Sequence, residues 1–343
     1  VMFPPKSALT LWAIFLAASL LLGVNIVLAA SIGEMRIPFV ITLQSIAHGL
    51  GVSDVSLDPI QQGIIWQYRM SRALIAAFSG AGLALCGVVL QALLRNALAE
   101  PYVLGVSAGA STGAVSVMLV GVGGGAIGVS AGAFLGALMA FAIVMFLASG
   151  VRRGVTRVIL AGVAAAQLFN AITAWLVSTS ANAEQSRSIM FWLLGSLGGV
   201  RWSDVELAAV VVSVGFVLCF YFARTMDAFA FGEDAAASLG VSVRGVRAVL
   251  LILTALITAT LVSIVGAVGF VGLVIPHAAR FLIGPGHVRL LPATALIGAN
   301  FMVLSDIVSR VIVAQQTLPI GVVTALFGAP AFALILYRVR TEE

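Results

Sequence analysis

Charge is what this sequence has least of. Only 9% of its 343 residues are Asp, Glu, Lys or Arg, against about 25% in an ordinary soluble domain. Lysine is reduced to one residue, Lys6 in PPKSA. A nucleotide-binding P-loop, G-x-x-x-x-G-K-[ST], needs a lysine behind a glycine-rich loop. The chain has none, so any ATP that drives it must be hydrolysed by another chain. There are three histidines, scattered without metal-ligand spacing, and two cysteines, Cys86 and Cys219. Both cysteines fall in apolar runs, where a free Cys is usually a small inert hydrophobe. They say nothing about redox compartment. No nucleophile–base constellation or metal cluster stands out, so no catalytic residue, bound cofactor or metal is expected, and an enzyme is the least favoured class.

What is present in excess is apolar surface. Hydrophobic residues make up 61% of the chain, too many to cover a water-facing surface, and an integral membrane protein is expected. Barrel strands are short and alternate faces. Here the apolar runs are uninterrupted and about 20 residues long, the length that crosses a bilayer as helix. The fold class is therefore all-α and polytopic. Ten spans are placed at 8–30, 70–94, 103–121, 126–149, 157–178, 203–223, 244–264, 266–283, 290–312 and 320–337, forming one transmembrane domain over 1–343. The first run, Ala8 to Ala30, exceeds the roughly 7–15 apolar residues of a signal peptide and reads as a span.

Arginine and lysine set the orientation. With the N-terminus in the cytoplasm, twelve of the 18 basic residues lie inside: Lys6, Arg95, Arg152, Arg153, Arg157, Arg224, Arg244, Arg247, Arg280, Arg289, Arg338 and Arg340. Six lie at the outer edge: Arg36, Arg69, Arg72, Arg187, Arg201 and Arg310. The even span count returns the C-terminus to the cytoplasm. The net charge of +5 is mostly this bias, and no nucleic acid partner is needed to explain it.

Glycine is abundant, at 36 residues, and falls within the spans. SGAGLALCG (79–87), GVSAGASTG (105–113) and GAFLG (132–136) are small-residue stripes that let helix backbones approach closely in lipid. GVVLQALLR (87–95) and GLVIPHAAR (272–280) share Gly, Val and Arg at equal spacing. Any two inward-running helices ending on a basic residue look alike, so a repeat is not assigned.

One polar stretch interrupts this apolar chain, FGEDAAASLGV (231–241). Glu233 and Asp234 sit where carboxylates favour a helix N-terminus. Ala235 to Ala237 are strong helix formers, and Gly240 suits a left-handed C-cap. The stretch reads as a cytoplasmic helix of about two turns. It is either a capped connector or a docking element for a soluble partner.

Several segments together resemble the FecCD-type permeases, membrane subunits of ABC importers for iron–siderophore complexes, haem and vitamin B12. LQALLRNALAEPYVLGVSAGAS (90–111) is similar to that family's LRNPLA-P-x-x-LG-x-x-x-GA signature. GEDAAASLGV (232–241) resembles its cytoplasmic coupling helix. GFVGLVIPHAARFLIGPGH (269–287) and LPIGVVTALFGAPAFALIL (318–336) resemble its late signature and last span. The resemblance runs from about residue 66 to the C-terminus. Ala97 departs from the family's proline in RNPLA, and Ser71 in YRMSRAL departs from R-x-P-R. Both substitutions are expected to loosen a local turn.

The resemblance implies a homodimer in the bacterial inner membrane, with two cytoplasmic ATPase subunits that use ATP and Mg, and a periplasmic substrate-binding protein. It implies that the segment at about 227–241 grips the ATPase, through Gly232, Glu233, Asp234, Ala235, Ser238, Leu239 and Gly240. The expected cargo is an iron chelate, haem or a ferric siderophore, with cobalamin as the alternative. An ion-driven secondary transporter is the rival from another class. It would want ionisable groups near mid-membrane, and Asp306 alone comes close.

Other candidate residues carry two readings each. Arg69 and Arg72, three apart, share a helical face, and Arg310 ends a span on the same side. They are either interfacial anchors, with Asp306 and Arg310 paired at i,i+4, or, as the resemblance implies, the docking points of the binding protein. Gln167, Asn170 and Thr173 recur every three residues on the fifth span. They form either interhelical hydrogen bonds or the pore lining that the resemblance implies, along with a short outer helix at about 186–197. Asn96 and Leu98 are either an ordinary Asn turn or part of the cytoplasmic gate. His277, one turn from Arg280 and just after Pro276, reads as a structural hydrogen-bonder. Met190, Phe191 and Trp192 are either interfacial anchors or contacts to a large flat substrate.

Overall fold

The structure is a computed structural model that describes residues 8–33, 35, 37–53, 57–121, 128–149, 155–238, 240, 242–313 and 316–340. Lys6, Arg36, Arg152, Arg153 and Leu239 lie outside them. The chain runs through α1 (Ala8–Ser31), α2 (Phe39–Gly49), α3 (Pro59–Gln62), a π-helical segment (Gly63–Met70) and α4 (Ser71–Leu93). A 3-10 turn (Pro101–Leu104) leads into α5 (Val106–Val120), α6 (Val129–Ala148), α7 (Val155–Ser180), α8 (Ala183–Leu193) and α9 (Trp202–Tyr221). Then come α10 (Ala223–Phe229), α11 (Glu233–Ser238), α12 (Val243–Val265), α13 (Val271–Ile283), α14 (His287–Val311) and α15 (Ile320–Arg340). There is no strand among the described residues.

All ten expected apolar segments are helices, but they are of two kinds. Seven are long and apolar enough to cross a membrane. Val106–Val120 and Val271–Ile283 are shorter, and α15 is 21 residues long with its apolar part at Ile320–Ile335. At 1.5 Å per residue, α5 is about 22 Å long and α13 about 20 Å, short of the roughly 30 Å hydrocarbon core. The expected spans 103–121 and 266–283 are helical over these shorter stretches, and the residues before them lie outside the α-helices. The reason is local. The chain leaving α4 turns back through Pro101–Leu104, and Gly105 at φ 70° starts α5. Before α13, Gly266 at φ 73° and Phe270 at φ 67° both hold left-handed backbone, which no right-handed helix passes through.

α4 is the hub. It is buried along most of its length and packs against α14, α9, α12 and α13. Glycines set how close the helices come. A Cβ on Gly87 would run into the Gly272 carbonyl of α13, and one on Gly109 into the Gly136 carbonyl of α6. The small-residue stripes at 79–87, 105–113 and 132–136 are thus crossing points. The segments 87–95 and 272–280, similar in sequence, lie against each other at one of them. Cys86 and Cys219 are both buried and free. Large apolar side chains such as Trp12, Leu16, Val210 and Val217 are exposed on the outer helices, as a lipid-facing surface requires.

The π-helical segment precedes α4. Its Trp66 ring sits 4.8 Å from that of Trp202, whose indole N–H donates to the Trp66 carbonyl at 3.1 Å. Buried Ser71 donates its hydroxyl to the Gln67 carbonyl at 2.7 Å. At the position where the resemblance expects proline, the serine hydroxyl thus bonds back into the preceding turn.

Candidate functional site

Arg69, Arg72 and Arg310 converge, though not at an open surface. Arg69 and Arg72 are 4% and 7% exposed. Arg72 Nε donates to Asp306 Oδ1 at 2.7 Å, and Arg310 Nη2 lies 2.8 Å from Asp306 Oδ2. The i,i+4 pairing of Asp306 with Arg310 is present. The last carbonyls of a helix have no partner within it, and at the end of α1 these arginines supply the donors. Arg69 donates to Ser31 at 2.8 Å, Ala30 at 3.3 Å and Met35 at 2.6 Å. Arg310 donates to Ala29 at 2.9 Å and Ile32 at 2.6 Å. The negative end of a helix dipole favours such cations. Of the two readings, the anchor has its contacts in place: the guanidiniums are bonded to α1 and Asp306.

The stripe on α7 divides. Gln167 and Asn170 are exposed on a helix whose other outward residues, Leu160, Val163, Leu168 and Trp175, are apolar. Thr173 is buried, 2.8 Å from the Thr112 hydroxyl of α5 and bonded to the Phe169 carbonyl at 2.9 Å. Three-residue steps turn about 300°, so Thr173 has drifted roughly 120° around the helix from Gln167. Thr173 therefore makes an interhelical bond, and two exposed amides remain on a lipid-level face.

At the other end of the bundle, α10 and α11 form a short helical pair between α9 and α12. Gly232 at φ 106° and Gly240 at φ 82° bracket α11, so the expected left-handed C-cap glycine is present. Ala236 is buried, while Asp234, Ala237, Ser238 and Gly240 are exposed and Ala235 is half-buried. Ser238 donates its hydroxyl to the Ala235 carbonyl at 2.8 Å. α11 itself has six residues, shorter than two full turns. Sequence reasoning missed α10, and it did not single out Phe231 within the 231–241 stretch, which is 79% exposed beside α11.

The α4–α5 turn is held from within. Asn96 Oδ1 accepts the Leu98 N–H at 2.9 Å, an Asx turn, and Leu98 is exposed. His277 Nε2 sits 2.9 Å from the Ala97 carbonyl, tying α13 to this turn in the structural role read for it. Pro276 cannot donate to the Gly272 carbonyl four residues back. Gln91 of α4 does so instead, with Nε2 at 3.3 Å from Gly272 O and 3.4 Å from Leu273 O. Its own Oε1 accepts from Arg280 at 2.6 Å.

Glu100, also missed, follows this turn. Burial pushes its carboxyl up to about 7, partly offset by a bond from the Phe270 N–H. One carboxylate oxygen is buried without a hydrogen-bond partner. The only sequence cue was an acidic residue directly before Pro101. Among the described residues no group of three His, Cys, Asp or Glu side chains is placed to hold a metal. At the opposite end, Met190 and Phe191 of α8 are exposed and Trp192 is half-buried against the core.

The bundle matches a metal-chelate type ABC transporter solved in an inward-facing conformation, with a TM-score of 0.82 and 32% identity over 95% of this chain and 99% of that one. This is an ABC transporter permease fold. The model of the FecCD transport family matches residues 12–338. The chain belongs to that family. It is 39% identical over 323 residues to the uncharacterized ABC transporter permease protein YvrB of Bacillus subtilis (strain 168), covering 92% of this chain and 91% of that protein. It is 40% identical over 278 residues to the vitamin B12 import system permease protein BtuC of Escherichia coli O9:H4 (strain HS), covering 80% and 84%. It is thus a multi-pass membrane permease of an ABC importer.

Proposed function

We propose that two copies of this chain form the membrane pathway of an importer that carries a bulky metal chelate inward, powered by ATP hydrolysed on separate subunits. The observation that carries the reading is the α10–α11 pair. It is a glycine-bracketed pair of short helices between two long ones, with Phe231, Asp234 and Ser238 exposed where a soluble motor has room to grip it. Gly232, Glu233, Asp234, Ala235, Ser238, Leu239 and Gly240 are the residues assigned to that grip. The projection faces the cytoplasm of a bacterial inner membrane, following the arginine bias.

The exposed amides of Gln167 and Asn170 support the pairing of two copies. Polar groups facing lipid are costly, and within spans they tend to face a bundle interior or a water-filled path. On α7 they line that path in the assembled pair. Asn96 and Leu98 contribute to its inner closure, next to the His277 bond that holds their turn. A periplasmic binding protein docks at the α8 end, where Glu184 and Arg187 are exposed. Arg69, Arg72 and Arg310 serve that face by fixing α1 and α14. Loaded binding protein and ATP each favour one of two closures of the pathway, and alternation between them moves cargo.

Among chelates, cobalamin is the first to test, because a relative of 40% identity carries that name. Haem and ferric siderophores belong to the same chemical class of large, rigid metal complexes. The test is reconstitution in liposomes with the ATPase and binding protein, measuring uptake of cobalamin, haem and a ferric siderophore side by side. ATP-dependent accumulation of one of them supports the reading and names the cargo. Uptake that persists without ATP would favour an ion-driven mechanism, and uptake of none would overturn the chelate assignment.

A further inference from the structure

Beside α11 lies a cavity of about 540 Å³ with a positive lining. Its walls include Gln91 and Arg95 from the end of α4, Asp227 and Phe231 from around α10, Arg280 of α13 and His287 of α14. Its two arginines outnumber its one carboxylate, Asp227, whose Oδ1 accepts the His287 backbone N–H at 3.0 Å and lies 2.6 Å from that residue's Nδ1. Arg280 is half-buried, with one donor spent on Gln91. Arg95 is exposed and has left-handed backbone, φ 43°. Such strain in a non-glycine residue gathers at ligand clamps. Its guanidinium reaches toward α11, 3.9 Å from where a Cβ on Gly232 would lie. The exposed ring of Phe231 forms an apolar rim.

Resting on the reading of α11 as the motor's grip, we propose that this cavity is a second anchor for the ATPase subunit. It receives an acidic side chain of that subunit between Arg95 and Arg280, flanked by an apolar residue against Phe231. Charge complementarity and adjacency to α11 select this occupant. The anchor also has a route into the membrane. A carboxylate that draws Arg280 away from Gln91 alters the side chain that caps the Gly272 and Leu273 carbonyls, where α13 crosses α4. Gripping α11 moves the projection, and filling the cavity acts on the crossing.

The test uses the full-length permease in nanodiscs and the ATPase subunit recovered with it. Arg95→Asn removes the charge yet tolerates left-handed backbone, and Arg95→Glu reverses it. Arg289→Glu, exposed at the same end but outside the cavity, is the control. Arg95→Glu is expected to weaken assembly about tenfold or more, and Arg95→Asn to flatten its salt dependence. Arg289→Glu is expected to change affinity by about threefold at most. A photo-crosslinking residue at Phe231 should label an acidic segment of the ATPase. Assembly and salt dependence unchanged by Arg95→Glu would overturn the anchor while leaving the grip at α11 intact. A Phe231 adduct on phospholipid alone would also overturn it. Failure of the wild-type chain to bind any ATPase subunit would instead overturn the underlying reading.

Discussion

Replacing Asp306 by Asn tests whether the buried arginine cluster is held by charge. Asp306 is 0% exposed, with one oxygen 2.7 Å from Arg72 Nε and the other 2.8 Å from Arg310 Nη2. At an effective dielectric near 20, each such pair attracts by about 4 kcal/mol before desolvation is counted. Removing the one carboxylate leaves two cations in a buried site without their counter-charge, and breaking a buried pair in this way costs about 3–5 kcal/mol. Removing Arg72 instead, as Arg72→Met, leaves Asp306 paired with Arg310 and is expected to cost less. Unfolding free energies of both variants in mixed detergent–lipid micelles give the comparison. Equal losses, or a loss below about 1 kcal/mol for Asp306→Asn, would refute the electrostatic account and mean that water reaches the cluster.

Three further outcomes are expected. The Glu100 carboxyl is pushed up to about 7 in the folded chain, against about 4.3 for a free Glu. The folded state therefore holds its proton more tightly, and this contribution is full below about pH 4 and is lost as pH rises through about 7. Glu100→Gln should flatten the fall in melting temperature between pH 5 and pH 8. Gly87→Ala places a methyl against the Gly272 carbonyl and should destabilise by about 1–3 kcal/mol through overpacking, read by the same unfolding assay. Asn170→Cys, exposed on α7, should cross-link two copies in native membranes, whereas Thr173→Cys, buried against Thr112, should not. Equal cross-linking of the two would refute the α7 pairing.

The parts of this molecule that were legible in the sequence are those encoded over short distances. Apolar runs gave the helices, and small residues at spacings of three and four marked the crossings. Asp306 and Arg310, four apart, declared their own pairing. Residues 233–240 carried their helix signals within eight positions. What was not legible depends on partners far along the chain. Nothing near Arg69 says that its guanidinium ends on carbonyls almost 40 residues earlier, so its anchor and docking readings stayed level. Phe270 gives no sign in sequence of the left-handed backbone it holds, so α13 starts later than its apolar run. Thr173 was grouped with Gln167 and Asn170 because a spacing of three looks regular in sequence, although it winds slowly around a helix.

The way α1 is fastened has a consequence for how its sequence can change. Arg69 and Arg310 hold it by main-chain carbonyls, which every residue presents alike. Asn300 of α14 adds register, accepting from Asn25 Nδ2 at 2.9 Å and donating to the Ala18 carbonyl at 3.2 Å. Helix α1 is thus a plug fastened mainly at its end, where Ala29 and Ala30 are fully buried. An apolar helix of the same length that keeps Asn25, Ala29 and Ala30 should seat in the same socket, whereas loss of the arginines that receive it should unseat it.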